Sequence, residues 1–462
     1  MFTNCCPEQC PRRAELALLL TAGVVALGIL LPIAAQAQTE TVVYSFTYPT
    51  YTAAIGCPPA PGSINEQPHT GVLFYKGQLY GTTPEGGAGA KRVADSDDGM
   101  VFRLTKPTSG GTPWAEQTLH SFQPEPNPPQ DPPTFDGLYP CSRLIEKNGT
   151  LYGSTLSGGP GGFGTVFALV PPATGQTVWR EDQLYNFLGQ SDGAEPYDGL
   201  VMDNKNSFYG VRKGGMDGIT APSVFQLVLN GSGNYNEVTL LTNNDDVFYN
   251  GDLLRDSTTG SLFGTTQNGG ANGYGNVFKL TPSVGGWTYD DLYDFTGGAD
   301  GAHPNGGLVG GPGDLFGTTQ GGGSGTGTSG DGVLFELRQE IAGNPYSLIV
   351  QHTFSGFFYN DGAVPGAGLY KDATGTLWGT TTYGGFFRTF HVYQNSGTVF
   401  KLYPDPRIVH DWHYATVWDF SGGTTDGAYP QGLLTEDASG NLYGTTNAGG
   451  SANEGTVFQL KP

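Results

Sequence analysis

Two stretches of this sequence carry side chains able to grip or transform a ligand, and both interrupt a pattern that the rest of the chain keeps. Val211-Arg212-Lys213 sets two cations side by side in a chain whose formal charge is −21. An anionic group suits such a pair, with Arg offering a planar two-pronged donor; charge balance against neighbouring Asp is its plainer use. Further on, Phe386-Phe387-Arg388-Thr389-Phe390-His391-Val392-Tyr393 gathers rings around a cation and an imidazole. Exposed rings stack on the apolar faces of sugars, so Phe386, Phe387, Arg388, His391 and Tyr393 join Arg212 and Lys213 as candidate binding residues. Capping a channel is the other use for that insertion.

Carboxylates recur as well. Asp136, Asp192, Asp300, Asp361 and Asp426 each precede a glycine. Brought to one rim, they suit Ca²⁺ through hard oxygen ligands, or an acid/base pair. Turn chemistry is the stronger reading, because Asp bonds its own backbone and Gly takes positive φ. Asp95, Asp97 and Asp98 sit in a fragment of a calcium loop that lacks the distal Glu; they are weak metal candidates. His410 and His413 are spaced like helical metal ligands, but no helix is expected there and no third ligand is apparent. There is no nucleophile elbow, zinc-protease motif, phosphate loop or dinucleotide fingerprint. No cofactor is predicted, and Ca²⁺ is the ion an acidic rim would take.

The elements that must position these residues repeat seven times. An aromatic-Gly pair recurs from Tyr80-Gly81 to Tyr443-Gly444, each followed by a Gly-Gly step and then by a Phe-x-Leu strand, from Phe102/Leu104 to Phe458/Leu460. Between units lie two further strand signals: one ends in Phe, such as Tyr185-Asn186-Phe187, and the other is a short apolar run such as Gly199-Leu200-Val201-Met202. Four strands per unit and seven units predict an all-β fold, a seven-bladed β-propeller. A lone Phe-ending strand opens the pattern at residues 38–46, and the last unit lacks one. The expectation is a ring closed by the N-terminal strand pairing with the last blade, with blades at about 71–122, 143–187, 199–241, 252–295, 307–354, 368–420 and 432–462.

Composition agrees. Seventy-five glycines and 14% charged residues exclude a coiled coil or a mostly helical enzyme. The charge excludes nucleic acid as a partner, since phosphate binding depends on Lys and Arg. Residues 1–37 look like a signal peptide: Arg12 and Arg13 precede an apolar run from Leu16 to Ala35, and cleavage is expected after Ala37. A retained membrane anchor is the rival reading. Cleavage leaves a single domain over 38–462, extracellular or periplasmic, monomeric and free of the membrane. Cys57 and Cys141 would remain, and an oxidising compartment would pair them.

The repeated Asp-Gly-Ala-x-Pro, Leu-Tyr-Gly-Thr-Thr, Gly-Gly and Gly-Thr-Val-Phe, nearly ideal in Asp426 to Pro430, Leu442 to Thr446 and Gly455 to Phe458, resembles the GloVer tandem repeat of bacterial exported proteins. The resemblance covers essentially all of residues 38–462. It implies an extracellular location and no established activity. The functional expectation is a binding or surface-interaction module for a polysaccharide or cell-envelope component. The competing class is a carbohydrate-active hydrolase or lyase using rim carboxylates, assisted by His391, Arg212 or Lys213.

Overall fold

Each repeat folds into one antiparallel sheet, because a run of alternating apolar residues bounded by glycine turns has no partner nearer than the next run. In the computed structural model of the chain, the residues described are 38–47, 71–84, 99–123 (save 109), 136–189, 192–213, 221–242, 251–323, 330–356 (save 342), 361–385 and 395–462. The fourth sheet shows the plan: strands Leu254–Arg255, Leu262–Thr266, Asn276–Ser283 and Gly286–Asp294 pair in sequence order. Seven such sheets make a seven-bladed β-propeller, with no α-helix among the described residues. In the seventh, Thr39–Ser45 lies antiparallel on Thr456–Lys461, with Thr39 opposite Lys461. Gln38–Pro462 is one compact unit.

The aromatic-Gly pair has a packing cause. A Cβ on Gly81, Gly153, Gly210, Gly264, Gly317, Gly379 or Gly444 would lie 2.4–2.7 Å from the ring of the Phe on the third strand of the same blade. Only hydrogen leaves room for that ring. Except in the third blade, where Leu240-Leu241 stands in its place, the Phe that ends the fourth strand meets the third-strand Phe of the next blade edge to face: Phe122 and Phe167 have centroids 5.3 Å apart, Phe354 and Phe400 5.3 Å, Phe420 and Phe458 5.0 Å. Phe46 does the same to Phe102 at 5.5 Å, joining the seventh blade to the first. Each such pair is worth about 0.5–1.5 kcal/mol beyond the area it buries.

The hydroxyls serve the same frame. Thr381 Oγ1 lies 2.8 Å from Thr398 Oγ1, and Thr446 Oγ1 lies 2.8 Å from Thr456 Oγ1, tying second strand to third. The Gly-Gly step clamps the connection from the preceding blade: Gly385 N donates to Asp361 O and Gly450 N to Asp426 O, at 2.9 and 3.0 Å. Among the described residues both glycines of each step have positive φ, for example 89° and 104° at Gly384 and Gly385.

Candidate functional site

Antiparallel alternation sends the second-to-third loops and the blade-to-blade connections to one face, and the first-to-second turns and third-to-fourth hairpins to the other. The Asp-Gly carboxylates stand on the first face, and their oxygens are already engaged. Asp361 accepts from Ser355 N, Ser355 Oγ, His352 Nε2, Gly362 N and Tyr414 Oη at 2.8–3.1 Å. Asp426 accepts from Ser421 N, Ser421 Oγ and Gly427 N, each at 2.7 Å. Asp192 takes Leu188 N and Tyr185 Oη, Asp300 takes Thr296 N and Tyr293 Oη, and Asp136 takes Gln123 N, Gly137 N and His120 Nε2. Each carboxylate thus closes the loop that leaves the preceding blade. This is turn chemistry, and it leaves none of the five as a free acid or base.

Arg212 requires a correction. It was expected on the rim, but its side chain is only 3% exposed. It occupies the position of the second Thr in the repeat, whose side chain points at the third strand, so the guanidinium is drawn inward. There it donates to Ser223 Oγ, Asp192 O, Glu237 Oε1 (3.0 Å) and Thr239 Oγ1 (2.7 Å). Lys213 lies beside it with Nζ 3.7 Å from the centroid of the Tyr197 ring. Phe386, Phe387, Arg388, His391 and Tyr393 fall outside the described residues, as do Asp95, Asp97, Asp98 and Cys57. Cys141 is buried and disulfide-bonded, and its partner lies outside the described residues.

Among the described residues two clusters have the ligand types for a metal: Asp314, Glu336 and His410, and Asp405, Asp411 and His413. Each already holds a guanidinium. Arg338 grips Glu336 with Nε to Oε1 and Nη2 to Oε2, both at 2.8 Å, and Arg407 grips Asp405 at 3.1 and 2.9 Å. A cation held there by two hydrogen bonds competes directly with an ion, so neither cluster fits a metal well. The two histidines, read from the sequence as a pair with no third ligand apparent, belong to separate clusters, His410 at 3.5 Å from Glu336 and His413 at 3.3 Å from Asp405.

The axis shows what the sequence reading missed. The residue before the inner-strand Leu or Val is Gly71, Gly199, Gly307 and Gly368 in four blades, because seven strands converge there. A Cβ on Gly71 would stand 2.1 Å from Leu433 O, and one on Gly368 3.0 Å from Gly307 N. In the second and fourth blades the same position is Arg143 and Asp252, 109 positions apart. They meet across the axis, with Nε and Nη2 of Arg143 at 3.1 and 3.0 Å from Oδ2 of Asp252. Oδ1 of Asp252 accepts Gly199 N at 2.6 Å. Next to them Asp198 is buried; Oδ2 accepts Gly251 N at 2.7 Å and Oδ1 makes no hydrogen bond. Burial, then the Asp252 carboxylate, pushes Asp198 up to about 8. The signal was present: these are the cations and anions that replace glycine in one column of the repeat.

From this pinch a cavity of about 580 Å³ opens toward the turn-and-hairpin face. Aliphatic Ile145, Leu200, Val201, Leu254, Leu308 and Leu369 line it in nearly equal measure with polar groups: Arg143 and Asp252 at its floor, and Glu146, Lys147, Asp203 and Arg255 nearer the mouth. Lys147 Nζ is steadied by Asn206 Oδ1 at 2.6 Å. The volume is in the range of small-molecule sites.

Carboxyls raised by burial set the response to pH. Glu40 is pushed to about 8 by burial and then by Asp426, and Glu181 to about 7 by burial and then by Asp136. With Asp198, these groups bind protons more tightly folded than unfolded, so their contribution is complete below the ordinary carboxylate pKa of about 4 and is lost as pH rises toward 8. Asp361 and Asp405 have lowered values, the first against its burial through His352 and Tyr414 and the second chiefly through Arg407, and their contribution is lost on acidification. The melting temperature is therefore expected to peak near about pH 5 and fall by several degrees toward about pH 8.5. Asp198→Asn should flatten the fall. Melts that stay level or rise over that interval would show these carboxyls ionised in the fold.

Comparisons with known proteins come to the following. The sequence pattern of the Gloeobacter/Verrucomicrobia repeat matches residues 28–220 and 220–458. No curated protein matches the chain. Among solved structures, a putative 6-phosphogluconolactonase from Bacteroides uniformis is similar at 11% identity over 80% of this chain and 89% of that one, with a TM-score of 0.45. A putative oxidoreductase (glucose dehydrogenase) from Thermus thermophilus shares 17% identity over 70% and 96%, TM-score 0.40. A sialidase from Trypanosoma rangeli shares 9% over 92% and 59%, TM-score 0.39. Likeness at these levels says nothing of substrate.

Proposed function

The chain belongs to the Gloeobacter/Verrucomicrobia repeat family, and on that premise we propose that it is an exported binding module that takes a glycan or another piece of a cell-envelope component in its axial cavity. The observation that carries the reading is the pair Arg143 and Asp252. Where the repeat requires glycine for packing, these two blades give up the small residue and bring opposite charges together at the floor of a cavity lined in part by aliphatic side chains. A sugar ring has the matching chemistry, with C–H faces for the aliphatic wall and hydroxyls or a carboxylate for the ion pair. Export is supported by the apolar run ending at Ala35 and the small residues around Ala37. Hydrolysis is the weaker reading, since the rim carboxylates are spent on loop closure.

The test is titration of the full chain with a panel of neutral and acidic mono- and disaccharides, followed by calorimetry on any that bind. Arg143→Gln and Leu433→Phe, the second narrowing the cavity without touching the ion pair, are each expected to weaken binding about tenfold or more, or 1.4 kcal/mol, while both variants keep a cooperative melt. Equal affinity in both would sink the proposal. So would release of reducing ends that Asp361→Asn abolishes.

A further inference from the structure

The hairpin between third and fourth strands recurs in every blade but the seventh, where the chain begins and ends. In five consecutive blades the hairpin carries a large apolar side chain in solvent: Val178, Val284, Ile341 and the neighbours Ile408 and Val409 in the connection itself, and Leu229 as the last residue of the strand that leads into it. Val178, Val284 and Val409 are the most exposed large apolar residues among those described, at 78, 109 and 83%. A single exposed Val or Ile is ordinary on any surface. Its return in the same hairpin of five blades, all on one face, is not.

The core does not need these tips. Each hairpin continues into an aromatic that turns inward on a neighbouring blade, as Trp179 does on Tyr80, Trp287 on Tyr209 and Trp412 on Phe316, at centroid distances of 6.4, 6.1 and 4.9 Å. The aromatic seals the blade edge, and the apolar residue ahead of it is left pointing outward.

Charge differs between the two faces. The six hairpin connections contain as charged residues only Lys106, Glu340, Asp405, Arg407 and Asp411, and the first-to-second turns on the same face add Lys76, Asp203, Lys205, Asp256, Asp372 and Asp437, so acidic residues there outnumber basic ones by seven to four. Among the described residues, the connections between blades, on the opposite face, hold seven acidic side chains (Asp136, Asp192, Glu195, Asp252, Asp300, Asp361 and Asp426) and one basic one, Arg143. In a chain of formal charge −21, the hairpin face is the part that an uncharged apolar layer would best tolerate.

We propose that the hairpins of blades 2 to 6 form a docking surface for a lipid bilayer of low net charge, the apolar side chains entering the headgroup layer and the more acidic face turned away. The inference does not depend on what the axial cavity binds. It departs from the expectation of a protein free of the membrane.

The six tryptophans make the test direct. Four of them, Trp114, Trp179, Trp287 and Trp412, stand at the hairpins, and none precedes residue 114, so tryptophan fluorescence reports on the hairpin face and not on the N-terminal segment. The full chain is mixed with phosphatidylcholine vesicles bearing brominated acyl chains. Quenching that grows with lipid, weakens when phosphatidylglycerol replaces a third of the lipid, and is lost in Val178→Ser/Val284→Ser/Ile408→Ser/Val409→Ser at an unchanged melting temperature is the expected result. Absence of quenching in the parent protein overturns the proposal, as does quenching that survives the four substitutions. Self-association abolished by the same substitutions, without quenching by either vesicle, would give the surface to a second copy of the chain and overturn it equally.

Discussion

Gly251→Ala is expected to lower the urea midpoint of unfolding far more than Gly77→Ala, although both residues have positive φ, 94° and 79°. The left-handed backbone strains any Cβ by about 1–2 kcal/mol, which is all Gly77 should show because nothing lies within 4 Å of the added atom. At Gly251 the same atom would stand 2.2 Å from Gly306 C and 2.4 Å from Gly307 N, the backbone of the neighbouring blade. Backbone cannot swing aside as a side chain does, so overpacking of about 1–3 kcal/mol adds to the strain. Against a usual total of about 5–15 kcal/mol, that is a large fraction. Midpoints of equal size for the two variants would mean that the blades are free to separate at the axis.

Arg212→Met is the second large effect. It removes the cation from a buried pair, leaving Glu237 buried with only the Thr239 hydroxyl as donor and the Asp192 carbonyl without Arg212, a loss of about 3–5 kcal/mol. Burial already holds Glu237 above the ordinary carboxylate range, with Arg212 pulling it back down. Without Arg212 its folded pKa rises further, so the deficit of the variant should shrink as pH falls and Glu237 takes up a proton. Arg212→Met/Glu237→Met should recover most of the stability near neutral pH, because no unpaired charge is then buried. Denaturant melts of the two variants at several pH values check both points. A single variant as stable as the parent would return Arg212 to the surface and to the list of groups able to meet a ligand.

Arg212 also illustrates how far the sequence could be read. That it breaks the repeat is plain from Val211-Arg212-Lys213 standing where Thr-Thr stands elsewhere. That it turns inward was implicit in the register, since the second Thr of each unit faces the third strand, but a long cation suggests solvent until its partners are seen. Ser223, Glu237 and Thr239 come from two further strands of the blade and become partners only when the sheet forms. Arg143 and Asp252 were harder. Each is an isolated departure from glycine in a short apolar run, and nothing local relates two residues in different blades. The Asp-Gly repeats were legible as turns, because Asp and Gly recur in most blades and a feature required by every copy serves the copy.

Strand order, the number of blades and the place of the turns are all contained in the sequence, because each depends on contacts within one repeat or between one repeat and the next, and the repeat writes those contacts seven times. The axial cavity, the ion pair at its floor, the inward turn of Arg212 and the difference in charge between the two faces exist only once seven sheets are arranged about an axis. They depend on distances between blades far apart in the chain and on how deeply water is excluded, quantities that no spacing along the chain encodes.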